Sequence, residues 1–199
     1  MITTIIFDLS EVLIAGLIGI EKQLAQLVNL PEDEFLESLW TESFWLLMKG
    51  KISEDEYLLD VFEKNKWAAD ISVFKNVIRK NFHHKVEGMT ELIERLNKDY
   101  QLILLSDHSA EWVKYIDSIH PFLKLFNKKY FSFQSGKIKR ERQVFELLLN
   151  ENKLSPAKCL FIDDSEANIM AAREAGLNVI CFKNANQLKR ELEAYKLFM

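Results

Sequence analysis

The most constraining feature of this chain is a repeated pattern in its C-terminal half: a short apolar run, then a stretch with helical spacing. Strand-like runs occur at Ile2 to Phe7, Leu102 to Leu105, Tyr130 to Phe133, Leu160 to Ile162 and Val179 to Phe182. Gly88 to Tyr100, Ser109 to Ser118, Arg142 to Asn152 and Ser165 to Ala175 carry apolar side chains at three- and four-residue intervals. This alternation predicts βαβ crossovers and a parallel sheet covered by helices. Gly176 is placed to end the helix before the last strand in a left-handed cap. Between Phe7 and Leu102 no convincing strand occurs. That stretch is rich in helix starts instead, with Pro31 at a first-turn position and Ser53 to Glu56 as a capping box. Residues 16–83 therefore read as a helical insertion, broken at Lys49-Gly50-Lys51, within a core of residues 1–15 and 84–199. The expected architecture is α/β: a Rossmann-like open parallel sheet flanked by helices, with an inserted α-helical domain.

At 199 residues the chain accommodates one such domain plus the insertion. A net charge of -4 with 48% hydrophobic residues describes a soluble globular protein and argues against nucleic acid as a partner. The cluster Lys137, Lys139, Arg140 and Arg142 reads mainly as a solvated face. Val12 to Ile20 falls short of the roughly 20 apolar residues that span a bilayer, so no membrane partner is expected. No basic segment precedes it, so a signal peptide is not expected either. The two cysteines, Cys159 and Cys181, sit within or beside strand patterns and read as reduced thiols of a cytoplasmic protein.

Chemistry concentrates where the strands end. Asp163 and Asp164 stand where an apolar run stops and a helix begins, and two adjacent carboxylates there suit a hard cation. In open α/β sheets ligands bind outside the carboxyl ends of the strands. Asp8, Ser106, the loop carrying Lys139, and the acidic pair all fall at such positions. Asn168, one turn further on, either orients a carboxylate or caps helix backbone. Trp40, Phe44, Trp45, Trp67 and Phe74 supply bulky apolar surface in the insertion. Most of it reads as packing, with one or two rings able to face a pocket.

Four segments in order, FDLSEVL around Asp8, LILLSDH around Ser106, SGKIKRERQVF around Lys139 and FIDDSEANIMAA around Asp163, make the chain resemble the haloacid dehalogenase-like (HAD) hydrolase superfamily. The resemblance spans the whole chain and is to the phosphatase-like subgroup with a helical cap inserted after the first motif. It implies that Asp8 is a nucleophile forming an aspartyl-phosphate. It implies Mg²⁺ held by Asp8, the backbone carbonyl of Ser10 and Asp164, with Asp163 bound directly or through water. Ser106 and the groups after it, at Asp107 and His108, together with Ser10, would bind the transferring phosphoryl group, while Lys139 neutralises charge. The implied activity is hydrolysis of a small phosphorylated metabolite.

Two departures from the family pattern matter. Ser10 stands where phosphatases of the superfamily usually carry a second aspartate as acid and base. Positioned acid–base catalysis is worth about 10²- to 10⁴-fold, so good leaving groups such as sugar 1-phosphates, acyl phosphates and aryl phosphates are expected. Glu11 or His108 could substitute through a water. His83, His84, His108 and His120 show no ligand spacing. Arg140 replaces a usual proline after the motif lysine. Two other readings stay open: a haloacid dehalogenase-type displacement at carbon, and a catalytically impaired module that binds a ligand or protein.

Overall fold

The computed structural model of the chain describes residues 1–197. Five strands, β1 (Thr4–Phe7), β2 (Gln101–Ser106), β3 (Lys128–Phe131), β4 (Cys159–Asp163) and β5 (Asn178–Cys181), form one sheet in the order β3-β2-β1-β4-β5. Every pairing is parallel. Five helices fall between β1 and β2 before the core resumes: α1 (Glu21–Val28), α2 (Glu32–Leu39), α3 (Glu42–Met48), α4 (Glu54–Asn65) and α5 (Ile71–Asn81). The others are α6 (Met89–Leu96), α7 (Ala110–Ile119), a single turn α8 (Ser132–Ser135), α9 (Arg142–Asn152), α10 (Glu166–Glu174) and α11 (Ala185–Ala194). This is the α/β, Rossmann-like architecture that the alternating pattern predicts.

Both faces of the sheet are covered, which is why its strands read as continuous apolar runs rather than alternating ones. Ile6, Ile103, Leu105 and Phe161 face one layer with Phe145 of α9 and Ala172 of α10. Ile5, Phe7, Leu104 and Ile162 face the other with α6, α7 and α11, and this core continues into α1–α5. The chain leaves and re-enters the sheet domain side by side: Ala15 donates its amide to His84 at 2.8 Å, and Val86 donates to Leu13 at 3.0 Å.

Local signals explain most of the boundaries. Ser53 and Glu56 form the expected reciprocal capping box at α4. Gly176 has φ 86°, the left-handed geometry that ends α10. Pro31 precedes α2 as its N-cap rather than lying in the first turn. Strand bounds shift as well, with β5 running Asn178–Cys181 rather than Val179 to Phe182. β1 pairs only from Thr4, and β3 runs Lys128–Phe131 rather than Tyr130 to Phe133. β3 is an edge strand whose two lysines are exposed, and edges tolerate charge, so an apolar-run criterion places it too late. Ser132 then turns out of the sheet, because its hydroxyl donates to the Met48 carbonyl at 2.6 Å and accepts from the His108 amide at 3.1 Å. Among the described residues no helix is long and apolar enough to cross a membrane.

Candidate active site

Strand register builds the site. Phe7 lies opposite both Leu104 of β2 and Ile162 of β4, so Asp8 and Asp163, the next residues, emerge abreast. This is where the strand order reverses, with β2 and β3 on one side of β1 and β4 and β5 on the other. Open α/β sheets bind ligands at such switch points. Asp8, Asp163 and Asp164 each place a carboxylate oxygen within 4.8 Å of the others.

Lys139 lies among them, its Nζ 2.6 Å from Asp8 Oδ1 and 2.7 Å from Asp163 Oδ2. Burial alone would lower its pKa, but Asp163, Asp8 and Asp107 more than offset this and hold the ammonium well above its ordinary pKa. Asp8 is pushed up by burial; Lys139 opposes the shift, and the neighbouring Asp163 adds to it. Asp164 is raised by burial and by Asp163.

Asp8 Oδ1 also accepts the Leu9 amide at 2.6 Å, which fixes the carboxylate and leaves its other oxygen to the cavity. Asp163 is fully buried and has both oxygens engaged. Oδ1 takes the Ser165 amide at 2.8 Å, Oδ2 takes Lys139, and the Asn168 side chain reaches both at 3.0 and 3.2 Å. Of the two roles open to Asn168, the structure assigns carboxylate orientation. The donor set is hard oxygen throughout, which fits a Mg²⁺- or Ca²⁺-type cation rather than a soft metal. Asp8 and Asp164 have oxygens to spare for one, whereas Asp163 is committed to its donors.

Asp8, Lys139, Asp164 and Asn168 line one end of a cavity of about 520 Å³ that also takes in Ser10, Ser106, Asp107 and His108, with Asp163 buried behind them. Ser106, the last residue of β2, caps no helix; Ser109 accepts the Trp112 amide and caps α7 instead. Asp107 accepts the Lys139 amide through both oxygens, at 3.2 and 3.1 Å, and so braces the lysine loop from below. Burial, opposed by Lys139, raises its carboxyl to about 6. Ser10 contacts His108, Oγ to Nε2, at 2.9 Å. Burial drives the His108 pKa down to about 3, so the ring is neutral near pH 7. Glu11, at φ 61°, turns back to accept the amides of Gly16 at 2.8 Å and Ile18 at 3.2 Å. A Cβ on Gly16 would lie 2.7 Å from Glu11 Oε1 and 2.8 Å from Ser10 Cβ, so the loop closes this tightly only with glycine there.

Of the insertion aromatics singled out in the sequence, Trp40, Phe44 and Trp45 line the cavity, while Trp67 and Phe74 pack inside the helical segment with Phe35. Arg140 stacks on Trp45 with Cζ 4.4 Å from the ring centroid, and Lys49 pairs with Glu141 at 2.5 Å. Both contacts tie the lysine loop to α3. Two structural residues escaped sequence reasoning. Ser132 links His108 to α3, and Glu54, an ordinary first-turn acid by pattern, is buried against Arg79 and Trp112.

Residues 5–182 match the family model for haloacid dehalogenase-like hydrolases. A D-ribitol-5-phosphate phosphatase of Bacteroides thetaiotaomicron is 24% identical over 202 residues, covering 96% of this chain and 97% of that protein. Flavin mononucleotide hydrolase 1 of Arabidopsis thaliana, a chloroplast protein, is 26% identical over 168 residues, covering 82% of this chain; the match spans 66% of that relative's length. A solved HAD-like hydrolase from Porphyromonas gingivalis superposes with a TM-score of 0.77 at 25% identity, over 96% of this chain and 98% of that one. A HAD family enzyme of Bacteroides thetaiotaomicron, solved with magnesium and inorganic phosphate, superposes with a TM-score of 0.73 at 21% identity, over 93% and 96% of the two chains.

Proposed function

Because the chain belongs to the haloacid dehalogenase-like hydrolase family, and is therefore a hydrolase, we propose that it is a Mg²⁺-dependent phosphatase. Its substrate would be a small phosphorylated metabolite with a readily departing alcohol. The observation that carries this reading is the cluster of three carboxylates within 4.8 Å of one another against a single buried lysine. Such a site carries excess negative charge and repels a phosphate dianion unless a cation joins it. The phosphatase relatives lend the same direction.

Asp8 is the nucleophile. One of its carboxylate oxygens attacks phosphorus in line while the ester oxygen leaves with its electron pair, and the other stays available to the cation, with the Leu9 amide and Lys139 steadying the group. Water then cleaves the aspartyl-phosphate, returning the Asp8 carboxylate and inorganic phosphate. Lys139 stays protonated throughout and balances charge on Asp8 and on the phosphoryl oxygens. Ser106 and the Asp107 backbone amide donate hydrogen bonds to the phosphoryl group, with the Ser10 hydroxyl at its edge, while the His108 amide is given to Ser132. Asp8, Asp164 and the Ser10 carbonyl would hold Mg²⁺, with Asp163 acting through water because its oxygens are already taken. When bound, that ion screens the phosphoryl charge.

Helices α1–α5, within residues 16–83, act as a cap over a core of residues 1–15 and 84–199. The Ala15 to His84 hydrogen bond, which pairs the two crossings, supports this division. Cap closure excludes water and sets specificity. The free thiols of Cys159 and Cys181 suit a cytoplasmic setting.

Phosphate release from a panel of metabolite esters, run with and without Mg²⁺, tests the reading. Turnover that requires the ion supports it. Metal-independent halide release from 2-haloacids, with no phosphate release, would replace it with displacement at carbon.

A further inference from the structure

The cavity above Asp8 has two chemically different walls. Its floor is polar and belongs to the strand ends. Its roof comes from residues 16–83, including Leu17, Ile18, Trp40, Phe44, Trp45 and Met48. Among the described residues, that segment sends no hydroxyl, amide or charged side chain to the cavity wall.

The polar side chains of the floor are largely engaged. Glu11 holds the amides of Gly16 and Ile18, Asp107 holds the Lys139 amide, Asn168 holds Asp163, and His108 meets Ser10. A sugar or polyol entering here would strip water from several hydroxyls and find few partners. Each unmatched hydroxyl weakens binding by roughly tenfold. A flat ring meets the opposite situation. Phe44 lies edge-on to both Trp40 and Trp45, at 4.6 and 5.1 Å between centroids, which makes a continuous aromatic surface. Trp40 and Ile18, both in the cavity wall, remain 43% and 53% exposed, apolar surface that folding leaves uncovered. A volume of about 520 Å³ exceeds what a phosphoryl group needs and leaves room for a ring system.

We propose that the substrate is a phosphate monoester of an alcohol bearing a flat aromatic ring, with the ring packed on the Trp40, Phe44 and Trp45 surface. This rests on the phosphatase reading and names its substrate class. The arginine stacked on Trp45 adds a positive charge at that end and favours a ring carrying an acidic substituent.

Steady-state kinetics with benzyl phosphate and ribitol 5-phosphate test the ring directly, because both are primary alkyl esters with similar leaving groups. The full chain with Mg²⁺ is expected to show kcat/KM for benzyl phosphate at least about tenfold higher, mostly through KM. Trp45→Leu and Trp40→Ala are expected to collapse that ratio, and Trp45→Phe to keep most of it. Equal or better turnover of ribitol 5-phosphate, or a ratio indifferent to all three substitutions in folded protein, would overturn the inference while leaving the phosphatase reading intact. Acetyl phosphate, reactive and ringless, separates the two failures. No phosphate release from either ester or from acetyl phosphate would overturn the phosphatase reading and this inference with it.

Discussion

The Ser10 hydroxyl lies 2.9 Å from Nε2 of His108. The other ring nitrogen, Nδ1, is buried with no hydrogen-bond partner. An unpaired buried N–H is rarer than an unpaired acceptor, so the ring proton belongs on Nε2, donated to Ser10. His108 is thus a fixed neutral donor, held so by burial that lowers its pKa to about 3. Neither member of the pair can protonate a leaving oxygen near neutral pH.

It follows that Ser10→Asp should change which esters are hydrolysed. A carboxyl at this position supplies the missing acid, so turnover of unactivated alkyl phosphates should rise relative to phenyl phosphate by about tenfold or more. Parallel kcat/KM measurements on a phenyl and a simple alkyl ester check this. An unchanged ratio in a folded variant would mean that leaving-group protonation does not limit the reaction.

Asp107 predicts a pH effect on stability. Burial raises its carboxyl in the folded chain to about 6, against an ordinary value of 3.8. The folded state therefore prefers the protonated form. This contribution is fully present below about pH 4 and is lost as the pH rises toward 6, because the native state binds more protons than the unfolded one across that window. Asp107→Asn removes the titration but keeps an acceptor for the Lys139 amide. The fall in Tm between pH 4 and pH 7, measured with chelator present, should shrink in the variant by an amount equivalent to about 2 kcal/mol. Parallel Tm profiles for the two proteins would contradict the assignment.

Glu54 ties α4 and α5 to α7. Its carboxylate takes both terminal nitrogens of Arg79, at 2.9 and 2.5 Å, and the indole N–H of Trp112 at 2.6 Å. Glu54→Ala strands a mostly buried guanidinium, a loss of about 3 to 5 kcal/mol. For a chain of this size the expected drop in Tm is roughly 10 °C. Glu54→Ala with Arg79→Ala should recover part of it, since no unpaired charge remains. A fall below 2 °C by calorimetry would show the pair to be energetically neutral.

The central strands were legible because burial on both faces makes them solid apolar runs, and the site was legible because its acids terminate those runs. Asp8 and Asp163 needed only that logic. Lys139 did not, since a lysine in a charged loop looks solvated, and its burial becomes visible only once the ion pairs to Asp8 and Asp163 form. β3 was misplaced because an edge strand advertises itself through Lys128 and Lys129 rather than apolar residues. Glu54 and Ser132 were hidden for a different reason. Their partners Arg79 and Trp112, and Met48 and His108, lie far away in the chain, and no local spacing reveals such contacts.

The most direct test of the account is phosphate release from phenyl phosphate by the intact chain and by Asp8→Asn, each titrated with Mg²⁺ after chelation. The account predicts turnover that rises from background with Mg²⁺ in the unmodified protein and stays at background at every concentration in Asp8→Asn. Full activity without the ion, or Mg²⁺-dependent activity that survives Asp8→Asn, would contradict it.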